Sequence, residues 1–256
     1  MPDFDEKILW TVFMRNAAEE NKLLQHAQAA GATAVAVRTS NLRIAAAIGR
    51  FHAQGIKVYA WRWPACRTGS TLPHYYAIDQ ANYVANTLIP AGLDGYFPDI
   101  ESDNDGGLND WDRTGLGPLA AQFCTIIRDA APQNFVLALT SGAGQPHNNP
   151  NIPWQQFVQG SDYLLPQTYW RMDTAQGPKN INGGTPAAAL ARGDQHWAPI
   201  AAGRTVVPML GELAVVTPAE IASYGALLVA RGEKRLHVYT DTGGVQAAQL
   251  AAIAAL

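Results

Sequence analysis

The chain has only two cysteines, Cys66 and Cys124, too few and too far apart for a disulfide framework or a zinc site. None of its six histidines falls in an H-x-x-x-H or H-x-H pair, which removes the usual zinc spacing. There is no G-x-S-x-G elbow and no phosphate-binding P-loop. Charge is scarce: 15% of residues are charged, where about 25% is usual. The 18 basic and 21 acidic residues leave a net charge of −3, with no basic run. Nucleic acid and anionic lipid both need a concentrated positive face, so neither is expected as the main partner. No apolar stretch approaches the 18 residues of a membrane span. The opening Met1-Pro2-Asp3-Phe4-Asp5-Glu6-Lys7 is acidic and lacks the basic-then-apolar layout of a secretory signal. Cytoplasmic residence, or export by a signal-independent route, is the expectation.

What is present is a core. Of the 256 residues 48% are hydrophobic, and seven are Trp, too apolar a composition for a disordered chain. Short β-branched or aromatic runs recur at 7–13, 33–39, 57–63, 95–102, 135–141, 162–169, 205–213 and 235–241. Ala-, Leu- and Gln-rich stretches with helical spacing lie between them. Gly31, Gly55, Gly92, Gly160, Gly203 and Gly232 stand where several of the helices would give way to the next strand, as left-handed caps. Thr217-Pro218-Ala219-Glu220 reads as a helix start: a cap, proline at the first position, an acid in the first turn. Eight strands alternating with eight helices predict a closed parallel barrel, a single (β/α)8 domain over 1–256. An open doubly wound sheet would carry a glycine-rich loop after its first strand, and Phe13-Met14-Arg15-Asn16 contains no glycine.

In such barrels the site lies at the C-terminal ends of the strands. The loops at 64–73, 103–117, 142–152 and 171–185 are long, polar and rich in Asn, Gly and Pro, which suits a cleft for an extended ligand. Strand 4 reads Gly95-Tyr96-Phe97-Pro98-Asp99-Ile100-Glu101. Alternation puts Phe97, Asp99 and Glu101 on one face, with both acids at the mouth. Two neighbouring carboxylates repel unless one holds a proton, and a protonated acid beside an ionised partner is what general acid catalysis needs. A structural ion pair with Arg62 or Arg38, or acids simply solvated at the rim, is the competing reading.

The segment Asp94–Glu101 resembles the strand-4 motif D-G-x-D-x-D-x-E of the chitinase-type glycoside hydrolases of family 18. It is also similar to the D-x-E strand of the family 25 lysozymes. The resemblance implies Glu101 as the acid that protonates the glycosidic oxygen. It implies Asp99 as the carboxylate that orients an N-acetyl group, which attacks the anomeric carbon in place of an enzyme nucleophile. Gln167-Thr168-Tyr169-Trp170 is similar to the M-x-Y-D of family 18, which implies that Tyr169 holds the acetamido oxygen. Phe97, Gln167 and Trp170 depart from that pattern, and strand 1 lacks the Asp of family 25.

Other residues fit sugar chemistry. Glu212, after Gly211 at the end of strand 7, is either a nucleophile opposite Glu101 or a surface acid; the first requires a separation of about 5–5.5 Å. Trp faces stack on pyranose rings. Trp61 and Trp63 share a face opposite Arg62, so one set points inward and the other onto the helices. Trp170, just past its strand, is the expected stacking platform, with Trp111 and Trp197 in loops or helix ends. Tyr239 and Asp241 end strand 8, Asp241 either binding a hydroxyl or capping the last helix. Glu101-Ser102-Asp103-Asn104-Asp105-Gly106, with Asp112, roughly mimics a calcium loop. It starts with Glu and no helix precedes it, so it reads as a solvated turn, and no metal or cofactor is expected. The sequence thus points to hydrolysis of an N-acetylhexosamine glycan, chitin-like or peptidoglycan. A catalytically silent carbohydrate-binding barrel comes next, and metal-assisted chemistry on Asp99, Glu101 and Asp241 last.

Overall fold

The computed structural model describes residues 4–102, 106–241 and 244–256. Six parallel strands come first: β1 (Glu6–Thr11), β2 (Ala34–Arg38), β3 (Lys57–Arg62), β4 (Gly95–Pro98), β5 (Val136–Gly142) and β6 (Tyr163–Gln167). After β6 a small antiparallel ribbon, β7 (Arg171–Met172) and β8 (Lys179–Asn180), rises from the long loop. The seventh stave is split into β9 (Thr205–Val206) and β10 (Met209–Leu210), and β11 (Arg235–Val238) is the eighth. Pro208 stands in the break, where it has no N–H for the ladder. β11 pairs with both β10 and β1, and β6 with both β9 and β10, so the sheet closes on itself. The architecture is a (β/α)8 barrel.

The helices are α1 (Ala17–Ala29), α2 (Ile44–His52), α3 (Ala77–Tyr83, prolonged by a π turn over Val84–Leu88), α4 (Gly117–Ala130), the short α5 (Gln145–Asn148), α6 (Trp154–Gly160), α7 (Pro186–Trp197), α8 (Pro218–Ala230) and α9 (Ala247–Ala254). Their starts follow local chemistry. Asn16 and Thr185 accept from the third helical N–H of α1 and α7, and Thr217 and Glu220 complete a reciprocal capping box on α8. Five of the six expected cap glycines, Gly31, Gly55, Gly92, Gly203 and Gly232, have φ between 60° and 99°. Gly160 does not: it is needed because a Cβ there would lie 2.6 Å from Cys124 Sγ on α4.

Alternation along the staves divides the core in two. Leu9, Val35, Val37, Val58, Ala60, Leu137, Leu164 and Leu236 face outward onto Leu23, Ile48, Phe51, Phe123, Phe157 and Leu228 of the helices. Ile8, Trp10, Ala34, Ala36, Tyr59, Trp61, Phe97, Ala138, Leu165 and Met209 fill the barrel. Small residues make room for large ones: Ala36 stands in register with Trp10 on one side and Tyr59 on the other. Trp10 lies nearly parallel to Phe97 (5.1 Å between ring centres, 19°), and its indole N–H donates to His237 Nδ1 at 3.1 Å. Burial holds that imidazole neutral, its pKa lowered to about 3. This aromatic plug is the floor of whatever lies at the C-terminal mouth. Among the described residues no helix is long and apolar enough to cross a membrane.

Candidate active site

β4 ends at Pro98, but the chain stays extended beyond it. The Asp99 N–H donates to Arg62 O (2.8 Å) and the Ile100 N–H to Thr140 O (2.9 Å). The Ser141 hydroxyl closes on Ile100 O, and the Trp111 N–H reaches Glu101 O at 3.3 Å. These bonds carry the strand's alternation past its formal end, so Asp99 and Glu101 reach one pocket while Ile100 stays in the outer core. The pocket has a volume of about 160 Å³. It is lined by Trp10, Trp61, Trp63, Gln167, Tyr169, Met172, Glu212 and Tyr239 together with the two acids. A larger, more open groove of about 460 Å³ runs past Ile152, Trp154 and Ile200, and no titratable side chain lines it.

Asp99 is 4% exposed. Burial, and then the neighbouring Glu101 charge, hold its carboxyl well above the usual carboxylate range. Two donors oppose that shift: the side chains of Trp63 and Gln167, the latter giving Nε2–H to Asp99 Oδ1 over 2.8 Å. Asp99 is therefore held by an indole and an amide rather than by a guanidinium. Burial next to Glu101 disfavours a second negative charge on the pair. Phe97, inward-facing on the same strand, belongs to the apolar cluster that fills the barrel.

Tyr169 lies flat against Tyr239 (5.4 Å, 10°), and its hydroxyl donates to Met209 Sδ at 3.2 Å. A thioether is a weak acceptor that a carbonyl oxygen displaces readily. Gly211 is what admits this ring: a Cβ there would fall 2.5 Å from Tyr169 Cε1. Glu212 is half-buried, and its Oε2 accepts the Asp173 N–H at 2.9 Å. Burial first, and the Asp173 charge as well, push its pKa up.

Seven sequence-derived candidates, Glu101, Asp99, Tyr169, Gln167, Trp61, Glu212 and Tyr239, thus share one pocket. Three do not. Trp170 is fully buried in the outer core against Tyr224 (5.3 Å), because alternation after Tyr169 turns it toward the helices. Arg62 likewise faces outward, 97% buried, with its guanidinium 5.2 Å from the Tyr75 ring. Asp241 receives His26 Nδ1 at 2.7 Å and opens on a separate hollow bounded by Thr11, Phe13 and Lys22. The trio Asp99, Glu101 and Asp241 is therefore not assembled, and the described residues contain no cluster of three metal-ligating groups. Trp111 and Trp197 are core residues, not rim platforms. The calcium-like loop falls partly outside the described residues at 103–105; its Asp112 Oδ1 accepts the Asn151 N–H at 2.7 Å. Trp10 and Met172 line the pocket without having been singled out. Trp10 was accessible by counting alternation back along β1, whereas Met172 depends on how the β7–β8 ribbon folds over.

No protein-family model and no curated protein sequence matches the chain. Solved structures do. Active domain 2 of a chitinase from Pyrococcus furiosus is similar over 98% of this chain and 95% of its own, with a TM-score of 0.60 and 13% identity. The chitinase RmChi1 from Rhizomucor miehei is similar over 97% and 100%, at 0.60 and 10% identity. The Bacillus cereus spore cortex-lytic enzyme SleL is similar over 97% and 73%, at 0.59 and 10% identity. The chitinase likeness suggested by strand 4 is thus a likeness of the whole fold. At such identities it speaks for the fold alone.

Proposed function

We propose that the protein is a glycoside hydrolase acting on an N-acetylhexosamine-containing glycan, chitin-like or peptidoglycan, with Glu101 as general acid and Asp99 as the assisting carboxylate. One observation carries the reading: Asp99 and Glu101 open together into a pocket walled by Trp rings, with Gln167 and Tyr169 beside them. In this mechanism Glu101 gives its proton to the glycosidic oxygen as the bond to the anomeric carbon breaks. The acetamido oxygen attacks that carbon, and Asp99 accepts the acetamido N–H. Accepting that hydrogen bond favours ionised Asp99, which leaves the shared proton with Glu101. Tyr169 turns its hydroxyl from Met209 to the acetamido oxygen. Water then opens the cyclic intermediate, with Glu101 taking a proton back.

The test is turnover of chitooligosaccharides and of peptidoglycan by wild type, Glu101→Gln and Asp99→Asn. General acid catalysis is worth about 10²–10⁴-fold, so losses of that size are expected, and unchanged turnover rejects the assignment. Glu212 supports a second reading because it lines the same pocket. As nucleophile with Glu101 as acid/base it would form a covalent glycosyl ester. A 2-fluoro sugar that labels Glu212, seen by mass spectrometry, would select that route. Glycan binding with no product on prolonged incubation would instead mark a silent carbohydrate-binding barrel.

A further inference from the structure

The mouth has a positive charge that the proposed hydrolysis does not use. Arg38 is the last residue of β2, and alternation with Ala34 and Ala36 puts it on the inner face, at the rim. Its guanidinium carbon lies 5.7 Å from the Trp63 ring centre and 5.7 Å from that of Phe13. Its Nε donates to Ser40 Oγ at 2.8 Å, and it enters none of the ion pairs among the described residues. Half-burial works against its charge, and the nearby Tyr239 favours it. A desolvated cation normally has a counter-charge. This one is held by aromatic rings on the side of the pocket where Trp63 also donates to Asp99. One indole therefore connects the proposed reacting carboxylate to the guanidinium.

We propose that Arg38 is a specificity-determining residue and that the natural glycan bears a carboxylate on the sugar seated against Trp63, or on the next one. The inference rests on the hydrolase reading above and narrows its substrate. Aromatic packing pre-sets the plane of a guanidinium, whose N–H fork matches a carboxylate in two-point geometry. Asp99, Glu101 and Glu212 disfavour an anion elsewhere in the pocket, which leaves the Arg38 side of it as the favourable place for the substituent. Phe13, 42% exposed, continues the rim from Arg38. Two chemistries supply such a carboxylate: a lactyl ether on a hexosamine, or a uronic acid alternating with it.

The experiment compares kcat/KM on three N-acetylhexosamine oligomers, one with free lactyl carboxylates, the same one as its methyl ester, and one alternating with uronic acid. Wild type is expected to prefer a free carboxylate over the ester by about 10–100-fold, the usual worth of a charge-assisted hydrogen bond. The acid arm that is preferred identifies the source. Arg38→Gln should bring the acid-to-ester ratio to about one, through KM, and Arg38→Lys should retain part of it. If Arg38 only packs the loops, Arg38→Gln slows both substrates and the ratio survives, which overturns the proposal. Cleavage of neutral oligomers with no acid preference overturns this inference and leaves the hydrolase reading standing. Cleavage of no glycan overturns both.

Discussion

Gln167 Nε2, at the end of β6, donates to Asp99 Oδ1, just past the end of β4, over 2.8 Å. Two staves separated by β5 thereby fix one carboxylate, and the same Gln167 side chain reaches Thr140 Oγ1 on β5 at 3.5 Å. The bond favours ionised Asp99 against the burial that disfavours it. Gln167→Leu should therefore raise the Asp99 pKa further. If ionised Asp99 is required, the acid limb of the kcat/KM–pH profile moves to higher pH, and activity on that limb falls. A profile that loses height without moving would show that Gln167 only packs.

Asp99 itself should cost stability at neutral pH. Its folded pKa lies above the unfolded value, so the folded state binds the extra proton, and stability is lost as pH rises through the folded pKa. Asp99→Asn can still accept from Gln167 and carries no charge. It should melt at a higher temperature than wild type at pH 7, with the difference shrinking toward pH 4. Scanning calorimetry at both values decides it.

The sign reverses for His237, whose imidazole is held neutral between Trp10 and Tyr163 with a pKa of about 3. The unfolded value is about 6.5. Stability contributed by the neutral ring is present above about pH 6.5 and is lost as pH falls toward 3. His237→Asn keeps an acceptor for the Trp10 indole. It should lower the urea midpoint at pH 7, by the equivalent of about 1–2 kcal/mol for a core truncation, yet flatten its fall between pH 6.5 and 4.

Gly211→Ala should damage the site from beneath. The new methyl meets the Tyr169 ring, and Tyr169 is stacked on Tyr239, so the two rings must shift together. Overpacking of this kind costs about 1–3 kcal/mol. A lowered melting temperature with reduced kcat is expected. An unchanged kcat would separate Tyr169 from the chemistry.

Arg62→Met tests the opposite expectation. The Arg62 guanidinium is buried on the outer face, its Nη1 finds no hydrogen-bond partner, and burial lowers its pKa. Replacing a poorly compensated buried charge by a flexible apolar chain is often neutral or stabilising. The variant should melt at or above the wild-type temperature and keep its glycan turnover. A large loss of turnover would return Arg62 to the site.

The barrel was legible because its signals are local. Strand alternation, helix spacing and the glycines at 31, 55, 92, 203 and 232 each report on a few consecutive residues, and eight such units close in only a few ways. Asp99 and Glu101 were legible for the same reason, since a two-residue period aims both at once. Alternation also contained the fate of Trp170 and Arg62, each next to an inward-facing aromatic, though their chemistry suggested otherwise. Tertiary structure alone decided the rest. Asp241 is drawn to His26 rather than to the mouth, and Glu212 joins the acids from a stave that β5 and β6 separate from β4. Arg38 is brought to Trp63 and Phe13, which follow the two neighbouring staves. A local pattern shows which way a side chain faces, whereas what it meets there depends on where distant segments cross, and the free energy of a charge depends on that meeting.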